Sequence, residues 1–336
     1  MYPFLFRLNK KLEKIMPLIT PTAVCLGVIF SATLQPYSFL VPWIFALITF
    51  SGSLGSNFKD LTRVIMHPVP LLTCMALLHL VMPLVALVTG HIVFAGDSLT
   101  ITGLLLAFAI PTGIISFMWV SIYKGNIAFT LSLILIDTLL SPFLVPFTMH
   151  LLVGADVKID TLGMMKGLLW MVVFPSVLGM VLNGWTKGKI KEKLGVPLSP
   201  VSKISLGVVV AINSSLVAPY LKLFNAKLFV IFITVLLIAI SSYAIGWLVA
   251  KLMGWDRSIV VAMTFNSGMR NISAGAVLAT TYFPAAVAMP VIICMLFQQI
   301  LASFYAFLLR SRYGMGTEPP SSTIAASAGN GGRLSG

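Results

Sequence analysis

Thr264-Phe265-Asn266-Ser267-Gly268-Met269-Arg270-Asn271-Ile272-Ser273 is the stretch that decides how this chain is read. Apolar residues lead into it from Ile259 and run out of it through Ala274–Thr280, so it occupies the middle of what is otherwise a membrane span. Polar side chains at that depth are costly. An arginine at the centre of a bilayer costs about 2.5–3.5 kcal/mol on insertion scales and needs a partner or a wet cavity. Irregular backbone at that depth survives only where it is buried in protein or lines a cavity. A polar break inside a span therefore marks a binding site, and Asn266, Ser267, Met269, Arg270 and Asn271 are its first candidates.

Composition agrees with a span as the setting. Of the 336 residues, 58% are hydrophobic and only 9% are charged, and mean hydropathy is +1.02. A soluble domain carries about 25% charged residues, so the chain reads as an all-α polytopic membrane protein with the lipid bilayer as its partner. The net charge of +13 is loop charge that sets orientation, and a nucleic-acid partner is not expected. Cys25, Cys74 and Cys294 lie singly in apolar runs and read as packing residues.

Ten spans are expected, near residues 15–34, 37–54, 68–89, 100–122, 126–151, 162–183, 204–221, 228–250, 258–280 and 284–309. Each has about the 20 residues that a hydrocarbon core needs. The expected organisation is a cytoplasmic N-terminal segment 1–14, a first five-helix repeat 15–151, a second repeat 152–309, and a disordered cytoplasmic tail 310–336 rich in Gly, Ser, Pro and Ala. No small-residue cleavage site follows the first apolar run, so it is not read as a cleaved signal. Alternate loops hold 17 of the 22 Lys and Arg residues, including Arg7, Lys59, Lys124, Lys187–Lys203, Lys251 and Arg310. The opposite loops hold Lys158, Lys166, Lys222 and Lys227, and Arg270 alone sits within a span. This asymmetry puts both termini in the cytoplasm and the chain in the cytoplasmic membrane.

A second break, Pro111-Thr112-Gly113-Ile114-Ile115-Ser116, interrupts the fourth span, and Gly113 precedes Gly268 by 155 residues. Five spans per half make a repeat inverted across the membrane, with the broken fourth and ninth helices crossing. Paired interrupted spans are the best sequence pointer to a transporter's binding site, because broken helices free N–H and C=O groups where ions and carboxylates can use them. The bland alternative is that Pro and Gly are common in membrane helices. Thr112 and Ser116 join the candidates. Asp137 is the one acidic residue well inside a span, and Arg270 the one basic residue. The two are expected to pair across the helix crossing, as a structural ion pair or as a functional one. Alternatively, Arg270 receives a substrate carboxylate. His79 reads as a proton-pathway group or as hydrogen-bonded packing. Asn213, with Ser214 and Ser215, faces substrate or bonds to a neighbouring helix. No serine–histidine–acid, metal-ligand or P-loop spacing is present, so neither an enzyme nor an ATP-driven pump is expected.

Several motifs carry a family resemblance. Gly52-Ser53-Leu54-Gly55-Ser56-Asn57-Phe58-Lys59-Asp60-Leu61 with His67-Pro68 resembles the DFK-type loop of the bile acid:sodium symporter family. Pro111–Ser116 with Lys124-Gly125-Asn126-Ile127-Ala128 is similar to its PGG-x-x-SN break and RGN-x-A turn. Ser141-Pro142-Phe143-Leu144-Val145-Pro146 resembles its S/A-P-x-L-x-P ending of span five, and Gly268-Met269-Arg270-Asn271 its E-x-G-M-Q-N motif. The chain thus looks like a divergent, bacterial-type member. The resemblance implies ten spans, with a core of spans 3–5 and 8–10 and a panel of spans 1, 2, 6 and 7. It also implies transport of organic anions of bile-acid, pantoate or keto-acid type. The family's motif glutamate, which serves both sodium sites, falls at Asn266, and the motif glutamine at Arg270. Its SN asparagine falls at Phe117, its Thr-Ser pair at Ile134 and Leu135, and its span-three glutamine near Leu78. Hard cations need oxygen ligands, so these departures point away from the usual two-sodium site; coupling to sodium, to protons or to neither stays open, with no other cofactor. A sensor or structural subunit that keeps the fold, and an efflux protein of the auxin-carrier type, are the other readings.

Overall fold

The computed structural model describes residues 2–55, 68–153, 157, 160–222 and 225–313. The DFK-type loop from Ser56 to His67, Lys158, and the tail from residue 314 lie outside the described residues. Among those described, every named element is helical. We number the helices α1 (Tyr2–Ile29), α2 (Ser31–Ser53), α3 (Pro68–Val93), α4 (Ser98–Ala109), α5 (Ile115–Ile122), α6 (Ile127–Leu152), α7 (Thr161–Trp185), α8 (Val196–Lys222), α9 (Ala226–Leu252), α10 (Arg257–Gly268), α11 (Ile272–Tyr282) and α12 (Ala285–Tyr313). Seven of the described helices are long and apolar enough to cross a membrane: α2, α3, α6, α7, α8, α9 and α12. The spans expected at 100–122 and 258–280 are each two short helices, α4 with α5 and α10 with α11. The first span is the apolar end, Leu18–Ile29, of a helix that runs unbroken across residues 14 and 15.

Helix starts follow from short polar side chains in the sequence. Asn126 accepts from the Phe129 N–H at 2.9 Å, Asp160 from Gly163 at 2.8 Å, Asn225 from Leu228 at 2.8 Å and Asp256 from Ser258 at 2.8 Å. Each cap satisfies a backbone donor that the helix leaves free and contributes about 1 kcal/mol. Between caps, apolar residues on all sides suit a medium without water, where every backbone group must be bonded within its own helix.

The helices associate in two sets. α1 lies along α8, and α2 packs on both α7 and α8. In the other set α4 packs on α3 and α12, α9 on α10 and α12, and α11 on α12. The second set encloses most of the buried residues, from Leu104–Ile110 through Ile259–Met269 to Val287–Ile293. Three π-turns interrupt the ladder among the described residues, Leu77–Val81 within α3, Leu169–Val173 within α7 and Lys191–Gly195 leading into α8.

Candidate functional site

The two helix breaks have different causes. α4 stops because Pro111 lacks an N–H and drives the residue before it out of the helical region; Ile110 is extended at φ −65, ψ 152. α10 has no proline. It ends at Gly268, where the Tyr243 ring lies so close that a Cβ would come within 2.3 Å of it, and Met269 then turns extended at φ −98, ψ 111. The unwound segments run antiparallel and join through a single bridge between Thr112 and Arg270. The Gly113 N–H donates to Met269 O at 2.9 Å, and the Asn271 N–H to Pro111 O at 2.8 Å. Thr112 Oγ1 lies 3.0 Å from both Asn266 O and Met269 O. Each break thus supplies partners for backbone groups that the other frees.

Asn266 is bonded to protein at both ends of its amide. Its Oδ1 accepts from Ser116 Oγ at 2.7 Å, and its Nδ2 donates to Thr130 Oγ1 and to Ala262 O, both at 2.9 Å. Ser267 turns towards α9: its Oγ donates to Ser242 O at 3.1 Å, and Ser242 Oγ donates back to Ser267 O at 2.6 Å. Met269 contributes its carbonyl to the bridge. Asn271 caps α11, its Oδ1 accepting from the Ala274 N–H at 3.3 Å.

Asp137 and Arg270 do not meet as expected. Asp137 is fully buried, its Oδ1 lies 2.5 Å from His79 Nε2, and its Oδ2 accepts the Thr112 N–H at 2.6 Å. Arg270 is 1% exposed; its Nη1 donates to Leu78 O at 3.2 Å and Ile110 O at 3.4 Å, while Nε and Nη2 are buried without a protein partner. The two charges attract one another through the crossing without forming an ion pair. The physical reason for the different pairing is the π-turn in α3, which holds both Leu78 and His79. His79 takes the carboxylate, and the Leu78 carbonyl takes the guanidinium. Asn213 lies apart, at the contact of α8 with α11, where its Oδ1 accepts from Thr280 Oγ1 at 3.3 Å and its Nδ2 has no partner.

A cavity of about 560 Å³ separates the two helix sets at the crossing. One wall carries Thr112–Ile115 and Arg270–Ser273 from the breaks, with Leu131, Ile134, Leu135 and Thr138 as a stripe along α6. The opposite wall comes from α2 (Thr49, Ser51), α7 (Ser176, Met180) and α8 (Ser199, Ser202). Lys191 and Lys203 also line it, and Lys203 Nζ and Ser199 Oγ both donate to Asn9 Oδ1, at 2.5 and 2.8 Å. Of the residues expected from sequence, Thr112, Arg270 and Asn271 line the cavity, whereas Ser116, Asn266, Asp137, His79, Ser267, Met269 and Asn213 stand behind its wall or outside it. The reading of single spans missed Thr138, Ser199, Ser202 and the two lysines. The available signal was a polar group recurring at helical spacing opposite the breaks. Among the described residues no group of three or more His, Cys, Asp or Glu stands together to hold a metal ion.

Comparison with known proteins agrees with this architecture. The model of the SBF-like CPA transporter family (DUF4137) matches residues 21–311. The chain is 52% identical to the Bacillus subtilis (strain 168) protein YbaS over 294 residues, 88% of this chain and 96% of that protein. It is 25% identical over 276 residues to the rice protein named probable sodium/metabolite cotransporter BASS3, chloroplastic, covering 79% of this chain and 63% of the relative. A Bacillus subtilis (strain 168) protein named sodium-dependent transporter YocS is 24% identical over 282 residues, 84% of this chain and 86% of its own.

Proposed function

The chain belongs to the SBF-like CPA transporter family, and from that premise we propose that it is a secondary transporter of a small organic anion of bile-acid, pantoate or keto-acid type. The cavity at the crossing carries the reading. Its 560 Å³ is the size of a small-molecule site, and both helix breaks form one wall while α2, α7 and α8 form the other. Rocking one helix set against the other would expose that wall to each side of the membrane in turn, the motion expected of ten spans in two inverted repeats. With both termini in the cytoplasm, Lys191 and Lys203 stand at the cytoplasmic end and draw anions in. Arg270, with two unpartnered nitrogens, supplies the positive charge at the deep end.

Metabolite transport comes to this chain from the names of its plant relatives; their sodium coupling is the part that the residues at the crossing argue against. The residues at the crossing do not fit a two-sodium site. The position of the family glutamate is Asn266, whose oxygen is already taken by Ser116, and the Arg270 guanidinium donates to carbonyls near the crossing. A guanidinium there acts as a resident cation and competes with a mobile one.

The test is uptake of labelled taurocholate, pantoate and pyruvate into proteoliposomes under a sodium gradient, a proton gradient and neither. Uptake of at least one anion, indifferent to sodium and lost in Arg270→Gln with expression intact, is the expected result. Unchanged uptake in Arg270→Gln, or strict dependence on sodium, refutes the corresponding half of the proposal.

A further inference from the structure

We propose that the His79–Asp137 pair is the proton-binding site of this transporter, and that its loading releases the Arg270 charge to a substrate carboxylate. The inference rests on the transport reading and names its coupling ion. Asp137 ties the first break to α3 and lies within the field of the second. Its Oδ1 meets His79 from α3, and its Oδ2 holds the Thr112 N–H at the tip of the first break. The electric field of Arg270 reaches it from the second break. His79 Nδ1 is buried and has no protein partner, so the pair has one nitrogen with the capacity to take a further proton.

The states balance as follows. Unloaded, His79 is neutral, donates from Nε2 to the Asp137 carboxylate, and leaves an Nδ1 lone pair free; the pair carries one negative charge and offsets Arg270. A proton from water bonds to Nδ1 and gives an imidazolium beside a carboxylate, or, by transfer along the Nε2–Oδ1 contact, a neutral imidazole beside a carboxylic acid. Either way the pair becomes neutral, and Arg270 is left with an uncompensated charge and two nitrogens without a partner, Nε and Nη2. Such a guanidinium favours a carboxylate. Proton and anion binding therefore strengthen each other, and reciprocity makes the coupling equal in both directions. A monoanion carried with one proton moves no net charge. The other titratable groups that face the site are Cys74 from α3, one helical turn before the π-turn, and Cys294 from α12, which faces Arg270. Thiols ordinarily titrate near pH 8.5, so neither offsets Arg270 at neutral pH.

The test uses the full chain reconstituted in lipid bilayers, without substrate in the first arm. Infrared difference spectra between acid and alkaline buffer should show carboxyl and imidazole bands that are absent in Asp137→Asn and displaced in His79→Gln. Asp137→Glu should restore a carboxyl band. In the second arm, a gradient of about one pH unit should drive about tenfold accumulation of labelled pyruvate above empty liposomes, without sodium, and Asp137→Asn should lose that excess. Monodisperse elution of each variant separates loss of the site from loss of the fold. Absence of any Asp137-dependent band overturns the proton site whatever the flux. The same pyruvate accumulation with and without the gradient overturns the coupling. Bands that depend on Asp137 with no flux of any anion uphold the proton site and count against the transport reading.

Discussion

Gly113→Ala should damage the crossing in a way that can be worked out from the backbone. A Cβ on Gly113 would lie 2.8 Å from Arg270 O, 3.1 Å from Arg270 C and 3.3 Å from Asn271 N. All three atoms are main chain in the opposite break, so no side chain can swing aside. The breaks must part by a few tenths of an ångström, which stretches the Gly113–Met269 and Asn271–Pro111 hydrogen bonds, now 2.9 and 2.8 Å long. Overpacking of a tight site costs about 1–3 kcal/mol, and each weakened bond adds part of about 0.5–1.5 kcal/mol. The expected loss is therefore about 2–4 kcal/mol, seen as a fall of several degrees in the unfolding midpoint of the detergent-solubilised protein, together with reduced pyruvate uptake. Gly184→Ala is the control: nothing lies within 4 Å of its Cβ position, and alanine is better in a helix by up to about 1 kcal/mol, so its midpoint should hold or rise. If Gly113→Ala unfolds at the same temperature as Gly184→Ala, the bridge does not constrain the crossing as described.

Other substitutions test the surroundings. Ser116→Ala leaves Asn266 Oδ1 buried without its donor and should cost about 1–3 kcal/mol; an unchanged midpoint would mean that the amide finds another partner. Gly246→Ala would place a Cβ 1.8 Å from Ser267 Oγ, where α9 meets α10. Adding Ser267→Gly should recover part of the lost thermal stability, and a double variant no better than the single one contradicts the contact. Asp97, in the turn before α4, forms an ion pair with Lys227, Oδ2 to Nζ at 2.7 Å, and its Oδ1 accepts from the Thr100 N–H at 3.3 Å. Burial acts to raise its carboxyl, but the bonds from Lys227 and Thr100 and the lysine charge outweigh that and hold it below its ordinary 3.8. Its stabilising contribution is therefore present above that value and lost as pH falls through the lower folded one. Asp97→Asn should unfold slightly earlier at neutral pH, and the difference should vanish in strong acid; a difference that persists there refutes the assignment.

Much of the frame was legible because its signals are local. Pro111 ends α4, short polar side chains start the helices, and Thr112 and Arg270 meet as the paired breaks suggested. The error over Asp137 was one of direction. Its pairing with Arg270 was expected from depth and charge alone, but the cavity takes the stripe Leu131, Ile134, Leu135 and Thr138, and Asp137 turns from it towards α3. Its partner was hidden by the π-turn, since a period of 3.6 residues does not reveal where one residue too many re-aims His79. Lys191 and Lys203 had been counted as loop charge, because nothing local distinguishes a lysine that sets orientation from one that also borders a cavity.

Non-helical backbone beside a cavity ordinarily trades its amide hydrogens with solvent quickly. At this crossing the Thr112, Gly113 and Asn271 amides are held by Asp137, Met269 and Pro111 in turn. Gly113 and Asn271 cannot open without disturbing a segment more than a hundred residues away in sequence, and Thr112 cannot open without releasing α6. The least regular stretch of the chain thus becomes a rivet: its hydrogens should be among the last to exchange, and helices that look free to slide past one another must travel as a single hub.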